Sequence, residues 1–142
     1  QPAPPEARTT APKPASGSPA PLPLAGRRIL VAEDQYLVAA EIGAAIEDAG
    51  GTVVGPMPTL ARALQAAETE AIDAASLDVN LNGEMIWPTA AALQRRGIPL
   101  VLVTGYASTL EAPADLAGLP RIEKPVHARQ VVARLCRLLG IG

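Results

Sequence analysis

From Arg27 onward the chain alternates short apolar runs with longer amphipathic stretches, and few folds accept that rhythm. Ile29-Leu30-Val31-Ala32 is apolar at every position, which suits a strand covered on both faces. Val38, Ile42, Ala45, Ile46 and Ala49 then fall on one helical stripe, and Gly50-Gly51 stops it. A short strand over 52–55 leads into a helix with Leu60, Ala63, Leu64 and Ala67 on its buried face. The third strand, 74–78, is followed by a polar loop from Asn80 to Glu84 and an alanine-rich helix that Trp87-Pro88 opens and Arg95-Arg96-Gly97 closes. A fourth strand covers 99–103 and a fifth lies near 119–122. The last helix, about 127–139, buries Val131, Val132, Leu135, Leu138 and Leu139. Between the last two strands, 107–118 makes a poor helix, because Pro113 removes a hydrogen bond and clashes with the preceding turn.

Strands that alternate with helices in this way build a parallel sheet covered on both sides. Five such units over residues 27–142 predict an α/β, flavodoxin-like doubly wound sheet of five strands in the order 2-1-3-4-5. Residues 1–26 are different in kind: eight of the fifteen prolines fall there among Ala, Ser and Thr, with no apolar period. They read as a disordered Pro/Ala-rich linker, stiff in the manner of polyproline.

Composition removes several classes of function. The net charge is −2, and without Glu6, Arg8 and Lys13 the folded part holds ten basic and thirteen acidic residues. That balance, with Tyr36, Trp87 and Tyr106 as the only aromatic residues, offers no nucleic-acid footprint and few stacking platforms. Cys136 is the single cysteine, so no internal disulfide forms and no zinc spacing exists; a cytoplasmic setting is expected. The apolar runs are far shorter than the ~20 residues of a membrane span, so no membrane contact is expected. A monomer is the expected state.

The polar residues gather at the carboxyl ends of the strands, where ligands bind in doubly wound sheets. Glu33 and Asp34 end the first strand, Asp78 the third, Thr104 the fourth and Lys124 the fifth. Three carboxylates on one edge repel one another, and a hard divalent cation relieves this; Mg²⁺ prefers a few carboxylates and several waters. A carboxylate nucleophile, a metal, a lysine and a hydroxyl together outline a phosphoryl-transfer site. Taken alone, Asp34 could simply cap the helix that follows.

With these residues in order, the chain resembles the receiver domain of bacterial two-component response regulators. The resemblance covers 27–142 and rests on the acidic pair of ILVAEDQ, the aspartate of SLDVNL, the threonine of VLVTGY and the lysine-proline of IEKPV. It implies Asp78 as phosphoacceptor, and Glu33, Asp34, Asp78 and the Asn80 backbone carbonyl as the Mg²⁺ site. Thr104 and Lys124 would bind the phosphoryl group, and Lys124-Pro125 would be cis. It also implies a histidine kinase or phosphotransfer protein as partner, and a switch involving Thr104, Gly105, Tyr106 and Pro125. The Thr-Gly-Tyr triplet resembles a receiver subgroup, and Arg121 stands where many receivers carry Tyr or Phe.

With a Pro/Ala linker ahead, the chain most resembles the C-terminal receiver of a hybrid sensor kinase. A stand-alone regulator and a never-phosphorylated pseudo-receiver are the alternatives. An aspartyl phosphatase would need a second aspartate two residues after Asp78, where Asn80 stands. His127 reads as a surface or capping residue and Cys136 as a small buried hydrophobe.

Overall fold

In the computed structural model, residues 22–105 and 112–141 are described. Seven strands and four α-helices follow one another: β1 (Arg28–Ala32), α1 (Tyr36–Asp48), β2 (Thr52–Met57), α2 (Leu60–Thr69), β3 (Ala74–Asp78), β4 (Asn80–Leu81), β5 (Glu84–Met85), α3 (Trp87–Arg95), β6 (Leu100–Thr104), β7 (Arg121–Glu123) and α4 (Ala128–Leu138). Five of the strands form one parallel sheet in the order β2-β1-β3-β6-β7. With the small β4–β5 hairpin set aside, this is the expected order 2-1-3-4-5.

The apolar strand runs are explained by a core on each face of the sheet. Successive side chains of a strand point to opposite sides. Leu30, Ala32, Ala75, Leu77, Leu100 and Leu102 pack with Ala63, Ala67, Ala90 and Leu93 of α2 and α3. Ile29, Val31, Ala74 and Val101 pack instead with Ile42 and Ile46 of α1 and with Val131 and Leu135 of α4. β3 and β6 are buried along their whole length, so neither could alternate with polar residues.

Three expectations change in detail. The segment after β3 is not a plain polar loop: Asn80 pairs with Met85 and Leu81 with Glu84 across an Asn82-Gly83 turn. Both turn residues have positive φ, 52° and 92°, which Asn and Gly tolerate and which matches the twist of a tight hairpin. Strand β2 runs past Gly55 through a cis Gly55-Pro56 bond to Met57, with a register shift against β1 between Leu30 and Ala32. Leu24, assigned by composition to the linker, is fully buried among Ile29, Ile46 and Ala49, so packing begins ahead of Arg27. The segment around Pro113 holds a single 3₁₀ turn, Ala114–Leu116, in its described part. Residues 106–111 of the expected poor helix lie outside the described residues.

Candidate functional site

The parallel order brings the carboxyl ends of β1, β3, β6 and β7 together, and each ends in a chemically active residue. Glu33 follows β1, Asp78 closes β3 and Thr104 closes β6, all three buried at 3%, 4% and 2% exposure. Lys124 follows β7, whose path is pinned to β6 by the Lys124 backbone N–H donating to the Thr104 carbonyl at 2.7 Å. Its ammonium reaches across to Asp78 Oδ2 at 2.9 Å and lies 3.8 Å from Glu33 Oε2.

Backbone donors position the carboxylates. Gln35 N–H donates to Glu33 Oε2 at 3.1 Å, and Asn80 N–H donates to Asp78 Oδ1 at 3.0 Å. Asp34 does not cap α1, whose N-cap is Gln35. Instead its Oδ2 accepts from Asn82 N–H at 2.9 Å, tying the end of β1 to the hairpin. The Asn80 side chain accepts from Gly83 N–H at 2.6 Å and closes that turn on itself. Sequence reasoning missed this brace, although the Asn82-Gly83 dipeptide is a strong hairpin signal.

One carboxyl oxygen from each of Glu33, Asp34 and Asp78 lies within 4.8 Å of the others. Oxygen donors at that spacing fit a hard divalent cation. The electrostatics point the same way, since one nearby ammonium cannot balance three carboxylates. Burial above all, and then the Asp78 charge, push the Glu33 carboxyl up to about 8, against the lowering effects of the Gln35 N–H and of Lys124. Burial alone would lower the Lys124 ammonium. The hydrogen bond and charge of Asp78, with Glu33 and Asp34, outweigh that and hold it above the ordinary lysine value.

A carboxyl that stays protonated in the fold but ionises in the unfolded chain makes the native state the better proton binder. The stabilisation is therefore full below about pH 4.5 and is lost as pH rises through about 8. Metal-free protein is expected to lose stability between pH 5 and 8 in urea titrations, and Glu33→Gln is expected to flatten that slope. Equal slopes for the two proteins would show that Glu33 does not hold the proton.

The remaining candidates are placed unevenly. Thr104 Oγ1 donates to the Gly105 carbonyl at 3.2 Å, so the hydroxyl is held by its own loop. Among the described residues nothing lies within 4 Å of where a Gly105 side chain would begin, and Lys124-Pro125 is cis as expected. Tyr106 lies outside the described residues. His127 is the exposed N-cap residue of α4, and its N–H donates to Gln130 Oε1 at 3.1 Å. Cys136 is buried in the α1–α4 core.

Solved structures share this fold. SdrG from Sphingomonas melonis Fr1 is 37% identical over 80% of this chain and 97% of that one, with a TM-score of 0.64. The receiver domain of the response regulator TorR is 26% identical over 80% and 97%, with a TM-score of 0.68. The chain belongs to the response-regulator receiver family. A third solved structure, the receiver domain of a sensor histidine kinase of Pseudomonas aeruginosa PAO1, is 23% identical over 82% and 99%, with a TM-score of 0.67, and carries a magnesium ion in its active-site cleft. No protein-family model and no curated protein sequence matches the chain. As a receiver it is a signalling module in two-component pathways, with a phosphoacceptor role. No helix among the described residues is long and apolar enough to cross a membrane.

Proposed function

We propose that this receiver accepts a phosphoryl group on Asp78 from a phosphohistidine, with Mg²⁺ held by Glu33, Asp34, Asp78 and the Asn80 carbonyl. The observation that carries the reading is the Lys124–Asp78 contact at 2.9 Å beside two further carboxylates on one sheet edge. It leaves a buried nucleophile and a charge partner in the same crevice. Magnesium, when bound, offsets the carboxylate charge and draws in the phosphoryl oxygens.

In the transfer, an Asp78 carboxylate oxygen forms the new P–O bond while the P–N bond to the donor imidazole breaks. The imidazole nitrogen leaves with the electron pair, and the product is an acyl phosphate. Asn80 N–H holds one oxygen of Asp78 in place. Lys124 then shifts its pairing from the carboxylate toward the incoming phosphoryl group, a point charge on a flexible stem. The Thr104 hydroxyl, freed from the Gly105 carbonyl, donates to a phosphoryl oxygen and draws in the loop through Gly105 and Tyr106, with Pro125 fixing the far side.

The donor is a histidine kinase or phosphotransfer protein in the cytoplasm. The Pro/Ala-rich stretch suits a tether to a kinase module, the receiver then being the C-terminal part of a hybrid sensor kinase. The test is intact-mass spectrometry after treatment with acetyl phosphate. One phosphoryl mass is expected with Mg²⁺ and none with excess chelator, and borohydride reduction followed by peptide mapping is expected to place it on Asp78. An adduct that is indifferent to metal, or maps elsewhere, overturns the reading.

A further inference from the structure

The donors assigned to Mg²⁺ come from two separate places in the chain: Glu33 and Asp34 follow β1, whereas Asp78 closes β3 and Asn80 opens β4. Loops that moved independently would have to be ordered by each ion that binds. The β4–β5 hairpin already joins them. Its Asn82 N–H donates to Asp34 Oδ2 at 2.9 Å, across 48 positions of sequence. Asn80, on the same hairpin, carries the backbone carbonyl assigned to the ion, and its side chain accepts from Gly83 N–H at 2.6 Å. A carboxylate has lone pairs enough to accept an N–H on one oxygen and face a cation with the other.

Root and tip of the hairpin are held differently. Leu81 and Ile86 are fully buried, and Ile86 N–H donates to the Val79 carbonyl at 2.8 Å, so the root is fixed in the core. Asn82 and Gly83 are exposed, and among the described residues a Cβ added at Gly83 meets nothing within 4 Å. The tip therefore keeps its shape through the positive φ of both residues and the bonds to Asp34 and Asn80, not through packing. Asp34 also forgoes another use: α1, which starts beside it, has no side-chain cap.

We propose that the Asn82-Gly83 turn is the positioning element of the Mg²⁺ site, fixing the Asp34 carboxylate relative to the Asn80 carbonyl before the ion arrives. This rests on the metal reading above and adds what sets the affinity. Asn82 and Gly83 are positioning residues, since neither is itself a ligand. Groups that orient metal ligands are worth about 10–100-fold in affinity, because the ion then need not order them. The hairpin also supplies a reporter. β5 leads through Ile86 into Trp87, the only tryptophan, and both Met85 and Trp87 pack against the core that holds Leu81.

The full chain, with no phosphodonor present, is titrated with Mg²⁺ and followed by Trp87 fluorescence and by the amide signals of Asn82 and Gly83. Gly83→Val keeps every backbone donor and acceptor and, with open space around it, strains only the backbone at φ 92°. It is expected to raise the half-saturating Mg²⁺ concentration by about tenfold. Gly83→Asn, which tolerates positive φ, is expected to stay near the wild type. Gly97→Val imposes similar strain at φ 71° beyond the end of α3, also in open space, and is expected to lower stability without changing half-saturation. In an Asp34→Asn background the effect of Gly83→Val is expected to vanish, because no carboxylate is left to position. Equal half-saturation of Gly83→Val and wild type overturns the proposal. So does an equal loss in Gly97→Val, which would trace the effect to general destabilisation. Gly83→Ala, a milder form of the same strain, gives the same comparison if the valine protein does not fold. A wild type that does not respond to Mg²⁺ overturns the metal reading and this proposal together, whereas a responsive wild type with an unmoved Gly83→Val overturns this proposal alone.

Discussion

Asp78→Asn is expected to abolish phosphoryl uptake, by more than about a thousandfold, while leaving the domain folded. The amide has no anionic oxygen to attack phosphorus. It keeps a carbonyl oxygen where Asp78 Oδ1 now accepts from Asn80 N–H, so the turn into the hairpin survives. The same change withdraws a negative charge from beside Glu33, and the Asp78 charge is one cause of the raised Glu33 carboxyl. Asp78→Asn is therefore expected to bring Glu33 closer to ordinary carboxylate behaviour and to shrink the loss of stability between pH 5 and 8. Intact mass reads the first effect and urea titration at several pH values reads the second. Retained phosphorylation would place the nucleophile elsewhere, and an unchanged pH slope would uncouple the two carboxyls.

Lys124→Met produces the opposite pattern. The side chain keeps much of its length and apolar stem but removes the only ammonium within 4.0 Å of Asp78 or Glu33 among the described residues. Removing one partner of a largely buried pair leaves a charge without compensation, which costs about 3 kcal/mol here. Lys124 also lowers Glu33, so its loss drives that carboxyl further up. The metal-free variant is expected to melt well below the wild type near neutral pH. Magnesium is expected to restore more stability to the variant than to the wild type, because the cation takes over the missing positive charge. Phosphoryl uptake is expected to fall by about a hundredfold with saturating metal, the scale of removing one charge-stabilising group. Thermal melts with and without Mg²⁺, beside uptake rates, check both; an equal response to metal would mean that Lys124 does not balance the acidic cluster.

The two variants separate the duties of residues that a single loss of activity would merge. In the proposed transfer Asp78 supplies the reacting oxygen, and its removal is expected to ease the charge imbalance. Lys124 supplies balance, and its removal worsens it.

Much of this was legible without coordinates because a doubly wound sheet converts order along the chain into position. Runs such as Ile29–Ala32 and Leu100–Val103 announce buried parallel strands, and parallel strands carry their C-terminal residues to one edge whatever the loops do. Glu33, Asp78, Thr104 and Lys124 were therefore predictable neighbours. What remained hidden depends on distances between elements that pattern does not encode. The engagement of Asp34 by the Asn82 backbone, the burial of Leu24 ahead of the expected boundary and the turn of the Thr104 hydroxyl toward Gly105 are such cases. So is the convergence of Arg121 of β7 with Arg134 and Arg137 of α4. Periodicity determines which face of an element is apolar, because burial of apolar surface dominates the energy. Which polar groups meet is decided only when the faces are packed, since hydrogen bonds and ion pairs act over a few ångströms between residues far apart in the chain.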